Sequence, residues 1–427
     1  MTTLDQAMYR KILGDIDEQR ILALEQAAIR IPSSAFQEHQ IADLFANYMA
    51  EMGLDVEMME VVHPFDASKK SRQPIGRLKG TGGGPSLMLN GHMDPGVEMP
   101  GWSVDPYGAK FEDGWVWGMG AHDDKGGVVA AICGVEAIVR SGARLKGDVV
   151  ITPVVAHKLG GAGTRALLKH GVRTDYCINM EHSNNTVANI CVGVVMVHVR
   201  TRTPDLFFRY SKEAKAAYFN TIEQQCEIVR RIGPSLDPIP PGGWLTFTRH
   251  PDLPGFPMHT FDTIHKEHYY FKNYTGMTTR EAELTFQLRT VPGQTIDSIR
   301  EDLVRLLEGI KKERSAFDYE LTIPAKGTEI TWNQAPMECP KDSPLVTALA
   351  DGQRLGSGAE PYIGAHGRIG NVGDGNIISA LGIPTVQYGP GDIRIYKEWP
   401  TPDERVQLKD LVTAAKAVAY ATARLCG

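Results

Sequence analysis

Two short runs decide the fold: residues 86–97, SLMLNGHMDPGV, and residues 115–127, WVWGMGAHDDKGG. Each opens with apolar residues of strand character. Each closes in a polar cluster, His92 and Asp94 in the first, His122, Asp123 and Asp124 in the second. Imidazoles and carboxylates at the ends of buried strands are how α/β proteins build metal and active sites, because strands hold side chains more rigidly than loops do. Gly126 and Gly127 lead into a helix of small residues over 128–139, narrow enough to pack closely on a sheet.

Working outward, residues 148–155 form another apolar run, ending at His157, Lys158 and a glycine-rich turn with a helix from Thr164. Residues 176–180 form a third, ending at Glu181 and His182. Strands alternating with helices predict βαβ units and a mostly parallel sheet flanked by helices. Upstream, apolar spacing predicts one helix over 4–28 and a second running to Gly53, then strands over 56–62 and 76–79.

The texture changes near Cys191. Strands over 193–200, 244–249, 283–289 and 317–323 and helices over 213–232 and 295–311 predict a smaller α+β domain, 191–326, inserted into an α/β domain made of 1–190 and 327–427. The α/β pattern resumes with a helix over 343–355, a loop over 364–376, a strand over 385–388 and a final helix over 402–425.

The 427 residues are 42% hydrophobic and 22% charged with a formal net charge of -6, an ordinary globular composition without the basic face that a nucleic-acid surface needs. Six cysteines without CxxC spacing read as reduced thiols. There is no signal-peptide pattern and no apolar run of membrane-spanning length, so a cytoplasmic protein without nucleic-acid or membrane partners is expected.

GHMDPGV, GMGAHDDKGG, GGAGTRALL, the strand ending in Glu181, QLRTVPG, GDGN followed by ALGIPTVQYGPG, and TPDERV occur in that order. Together they resemble the metallohydrolase family of aminoacylase, carboxypeptidase G and succinyl-diaminopimelate desuccinylase. The resemblance implies a metal-binding catalytic domain and an inserted lid or dimerisation domain, hence a homo-oligomer. In such a two-metal site His92 matches the first-metal histidine, Asp94 the carboxylate orienting it, Asp123 the bridging ligand and Glu181 the remaining first-metal ligand. Where the family has a glutamate general base and a glutamate ligand of the second metal, this chain has His157 and Lys158. Where the family has a histidine ligand of that metal, this chain has Pro400.

The resemblance and these departures together imply one divalent transition metal per chain, manganese favoured over zinc, cobalt and iron, held by His92, Asp123 and Glu181. His157 is expected to be neutral near pH 7 and to act as general base, with Asp94 and Lys158 completing the catalytic set. Arg289 and Lys397 are expected to bind a substrate carboxylate; Asn376 and Tyr388 are further substrate contacts. Arg394 adds a cation, and Tyr396 and Trp399 an aromatic wall. His122, His182 and His366 are set aside as neighbours of the site. This set suits an ammonia-releasing aminohydrolase, a metallohydrolase of non-peptide C–N bonds acting on a small anionic aromatic amino acid, best matched by 5-nitroanthranilate going to 5-nitrosalicylate. A one-metal amidase or deacylase of N-acyl amino acids or small peptides, and an inactive ligand-binding homologue, are the alternatives.

Overall fold

The computed structural model describes residues 4–203, 218–265, 280–328, 333–365, 371–396 and 400–427. Lys397, Trp399 and His366 lie outside them. The chain divides into two compact units, Met1–Cys191 with Met337–Gly427, and Val192–Pro336. The second boundary falls ten residues later than expected because Asn333 and Gln334 pair with the smaller unit's central strand at Val195 and Val194.

The larger unit opens with α1 (Gln6–Gly14), α2 (Glu18–Ile29) and α3 (His39–Glu51). The single N-terminal helix expected from spacing is therefore two. Asp17 breaks it, its carboxylate accepting the amides of Gln19 and Arg20 as an N-cap. Next come β1 (Asp55–His63), β2 (Asp66–Leu78), β3 (Leu87–His92), β4 (Lys110–Glu112), β5 (Trp115–Trp117), α4 (Lys125–Ser141), β6 (Val149–Val154), α5 (Ala162–Lys169), β7 (Tyr176–Asn179) and β8 (Val187–Cys191).

The smaller unit contains β9 (Gly193–Arg202), α6 (Thr221–Ile232), β10 (Met258–His265), β11 (Glu281–Thr290), α7 (Ile296–Glu313), β12 (Asp318–Thr322) and β13 (Asn333–Gln334). The chain returns to the larger unit with β14 (Met337–Glu338), α8 (Pro344–Ser357), β15 (Ile363–Ala365), α9 (Asp374–Ser379), β16 (Thr385–Gln387), β17 (Arg405–Gln407) and α10 (Leu408–Cys426).

The main sheet runs β1-β2-β6-β3-β7-β16-β8-β14, with β15 on β8. Its centre, β6-β3-β7-β16, is parallel; β1-β2, β2-β6, β16-β8 and β8-β14 pair antiparallel, and β15 lies parallel on β8. Every residue of β3 and β6 is buried, as strands covered on both faces must be. The glycines and alanines of α4 allow α10 to lie against it: a Cβ on Gly134 would stand 2.8 Å from the carbonyl of Ala415. The expected final helix starts six residues late, at Leu408, because residues 405–407 are drawn into β17 against β5.

The smaller unit is an antiparallel sheet, β10-β11-β9-β12, with β13 on β9. Alternate residues of β11 are buried, and Leu284, Phe286 and Leu288 meet Val195, Val197, Val199, Ile228 and Leu303 in a separate core. The strand expected over 244–249 is absent: Trp244 instead donates its indole N–H to Ile232 O, and the Thr246 amide goes to Asp302. The edge of the sheet beside β11 is formed by β10, which the sequence reading passed over. Among the described residues no helix is long and apolar enough to cross a membrane.

Candidate metal centre

Parallel strands deliver the site at their carboxyl ends. His92 ends β3, His157 follows β6, and Glu181 follows β7. Asp123 precedes α4, whose close seating needs Gly127: a Cβ there would meet Asp124 Oδ1 and Met180 O, each at 2.2 Å. All four side chains lie in the larger unit.

His92 is fully buried, and its Nδ1 lies 2.9 Å from the carbonyl of Asp94. A carbonyl only accepts, so Nδ1 carries the hydrogen, and the neutral ring turns the lone pair of Nε2 outward. Burial, with His157 and Lys158 nearby, lowers its pKa to about 4, so the ring is neutral. Nε2 stands 2.9 Å from Asp123 Oδ1, yet neither atom makes a hydrogen bond. Two lone pairs facing each other at that distance fit a cation between them. Glu181 Oε1 is likewise buried without a hydrogen-bond partner. These three residues fit the metal that the sequence reading assigned to them.

Two histidines widen the ligand field. Donor atoms of His92, His157 and Glu181 lie within 4.8 Å of one another, as do those of Asp123, Glu181 and His182. His182, set aside on sequence, has its Nδ1 3.6 Å from both Asp123 Oδ1 and Glu181 Oε2. Its place directly after Glu181 was the available signal.

Asp94 orients His92 through its backbone carbonyl, while its carboxylate accepts the amides of His157 and Lys158, both at 2.9 Å. It therefore fixes the turn carrying two of the three departures from the family pattern, His157 and Lys158. Lys158 Nζ then reaches Asp123 Oδ2 at 2.8 Å. Burial works against each charge, but the pairing prevails: Lys158's pKa is raised and Asp123's is held well below the usual carboxylate range.

His157 stacks on His92, ring centroids 4.1 Å apart and planes 6° from parallel. Its Nδ1 is 3.3 Å from Asp374 Oδ2 and 4.0 Å from Glu181 Oε1. Burial opposes its charge, yet Asp374 and Glu181 outweigh that and raise its pKa to about 9. In the cation-free chain His157 is thus protonated at neutral pH, contrary to the neutral imidazole expected. Asp374, 1% exposed at the start of α9, is the residue sequence reasoning missed, although GDGN was among the motifs carrying the resemblance.

A second unassigned carboxylate braces the bridging loop. Glu404 accepts the amides of Gly120 (3.0 Å), His122 (2.9 Å) and Asp123 (3.0 Å). Glu404→Ala is expected to cost about 2 kcal/mol, since three backbone donors lose a charged acceptor. It should also weaken metal binding about 10- to 100-fold through misplaced Asp123. Thermal melts and metal titration read the two effects.

Several expected substrate contacts have other duties. Asn376 is fully buried, and its Oδ1 accepts the Gly373 amide. Tyr388 is a core residue whose hydroxyl donates to Gln353. Arg394 is exposed and bidentate on Asp392. The Tyr396 hydroxyl is bonded to the backbone of Arg405. Arg289 lies on β11 of the smaller unit, opposite Val194 and Met258. Within the larger unit Lys158, which bonds Asp123, also lines a cavity of about 460 Å³ together with Pro400, Val97, Tyr107 and Met119.

The ionisation pattern predicts a pH dependence. Burial raises the carboxyls of Asp94, Glu181 and Glu404 to about 7, and His157 stands at about 9. Between pH 6.5 and 8 the native chain therefore holds protons that the unfolded chain has released, and stability falls as pH rises. His92, lowered to about 4, and Lys125, lowered to about 8, oppose this at the lower and upper ends of the window, against four groups acting the other way. Chelated protein should melt at a lower temperature at pH 8 than at pH 6.5, and a divalent cation should lessen or reverse that slope. A melting temperature that rises across this window in chelator contradicts the pattern.

The family model for peptidase family M20/M25/M40 matches residues 88–424. An N-formyl-4-amino-5-aminomethyl-2-methylpyrimidine deformylase of Bacillus subtilis (strain 168) is 24% identical over 97% of this chain and 97% of its own length. A succinyl-diaminopimelate desuccinylase of Methylorubrum extorquens (strain PA1) is 24% identical over 91% of this chain and 94% of its own length. Among solved structures, the aminopeptidase PepT from Bacillus cereus covers 97% of this chain and 100% of its own, with a TM-score of 0.71 at 15% identity, a likeness of fold.

Proposed function

This chain belongs to peptidase family M20/M25/M40, a family of metal-dependent hydrolases of C–N bonds, and from that premise we infer a one-metal aminohydrolase that releases ammonia from a small aromatic amino acid. The observation that carries the reading is the 2.8 Å contact of Lys158 Nζ with Asp123 Oδ2. A side-chain cation there balances the bridging carboxylate as a second ion would, and a lysine ammonium cannot ligate a metal. His92, Asp123 and Glu181 then serve one ion.

Losing a second ion is tolerable where the substrate carries its own electron sink. 5-Nitroanthranilate does, because its nitro group is para to the amine. Held by His92, Asp123 and Glu181, a divalent cation would supply Lewis acidity and lower the pKa of a water. His157 accepts the water's proton; its pairing with Asp374 favours the charged ring it becomes, while a cation beside it keeps that ring from being protonated beforehand. A C–O bond forms at the ring carbon bearing nitrogen, the nitro group takes the negative charge, and the C–N bond breaks once the amine has received the proton from His157. The products are 5-nitrosalicylate and ammonia.

The test is incubation of the metal-loaded chain with 5-nitroanthranilate, expecting stoichiometric ammonia and 5-nitrosalicylate. No ammonia with manganese, zinc, cobalt or iron rejects the reading. The second reading, a one-metal deacylase, is favoured by relatives named as a deformylase and a desuccinylase. It predicts formate or a carboxylic acid from N-acyl substrates in the same preparation. An inactive ligand-binding homologue fits poorly with an intact His92, Asp123 and Glu181.

A further inference from the structure

We propose that the 460 Å³ cavity at Lys158 is the substrate's seat, and that it selects a molecule with an apolar body and a single anionic group, the anion lying on the Lys158 ammonium. The proposal rests on the reading that chemistry occurs at His92, Asp123 and Glu181, and it adds which residues choose the substrate.

Three observations carry it. First, Lys158 has two roles in one place. It bonds Asp123 Oδ2, which is 2% exposed, and it also lines the cavity with its side chain one-third exposed. An ammonium has three donors and Asp123 takes one, so the others can meet a guest. The nearby Asp94 carboxylate does not compete, being committed to two backbone amides.

Second, the walls are apolar. Pro95, Val97, Met119 and Pro400 line the cavity along with the lysine, and Tyr107 adds an aromatic ring. A cavity of this volume accepts one small organic molecule and excludes a long peptide from the same space. Lys158 and Pro400, the departures that remove a second-metal site from the family pattern, bound the same space. Substituting one residue gives a cation, and substituting the other gives a wall.

Third, one acid lines the cavity among the described residues, and it sets a limit. Glu98 lines the cavity, exposed, and accepts the Tyr107 hydroxyl at 3.2 Å. Its negative charge there opposes a second anionic group on the guest. The selection is therefore for a monoanion, with the charge on the Lys158 side and the uncharged body along Val97, Tyr107 and Pro400.

Calorimetric titration of the metal-loaded full chain tests this with 3-nitrobenzoate, its neutral amide 3-nitrobenzamide and the dianion 5-nitroisophthalate, none of which carries an amine to release. The wild type should bind the monoanion about tenfold tighter than the amide or the dianion, as one charge-assisted contact or one repulsion gives. Lys158→Met should remove the preference for acid over amide, and Glu98→Gln should remove the preference for monoanion over dianion. Val97→Asp, which leaves the Asp123 contact alone, should weaken 3-nitrobenzoate about tenfold and keeps the test sound if Lys158→Met folds poorly. Equal affinity for acid and amide in the wild type, or an undiminished preference in a folded Lys158→Met, overturns the proposal. These binding results do not depend on turnover. Ammonia release failing while the Lys158-dependent preference holds rejects the aminohydrolase reading alone; release proceeding without that preference rejects the substrate seat alone.

Discussion

Asp123→Asn is expected to lower turnover at least about a thousandfold and to release the metal ion. One carboxylate serves several partners: His92 Nε2 at 2.9 Å, Lys158 Nζ at 2.8 Å, and His182 Nδ1 at 3.6 Å. Asparagine keeps the shape but loses the charge, so an anionic ligand goes and Lys158 is left without a counter-ion. Breaking a fully buried pair costs about 3–5 kcal/mol. Lys158 is one-third exposed, so solvent screens it and about 1–2 kcal/mol is the reasonable expectation here. Lys158→Met added to Asp123→Asn should recover part of that stability and none of the activity. Strictly additive melts in the double-mutant cycle would mean that the pair contributes nothing.

His157→Ala is the second large effect, with kcat expected to fall about 10²- to 10⁴-fold, the usual worth of a positioned proton carrier. Metal content should stay near the wild-type level, because His92, Asp123 and Glu181 are untouched. Asp374→Asn should give a smaller loss, about ten- to a hundredfold, and move the acid limb of the kcat profile to lower pH, since Asp374, 3.3 Å from His157 Nδ1, favours the protonated ring. If His157→Ala loses metal and activity together, His157 belongs among the ligands that its closeness to His92 and Glu181 permits.

How much of this was legible in the sequence follows from what each feature depends on. The buried parallel strands and the residues at their ends were readable because full burial forces apolar runs and the polar cluster ends them, as at His92 and Glu181. The break at Asp17 was hidden by apolar residues that keep helical spacing through it. β10 was hidden because in its sequence, MHTFDTIH, the apolar residues Met258, Phe261 and Ile264 fall at every third position instead of every second, and the strand bulges between Phe261 and Thr263. Asp374 and Glu404 were passed over for a different reason: their roles depend on partners far away in sequence, His157 and the amides of 120–123. Tyr388 and Asn376 were read as substrate contacts from their nearness to a motif; the partners they have here, Gln353 and the Gly373 amide, were not legible. The Lys158–Asp123 contact joins two residues that the sequence reading had put in the site; the cavity beside it arises from loops that carry no pattern.

The most direct test is elemental analysis of the purified, metal-reconstituted chain beside a variant carrying Lys158→Glu and Pro400→His. One tightly held ion per wild-type chain, rising toward two in the variant, is the result expected if Lys158 stands in for a second ion. Two tightly held ions in the wild type would contradict it.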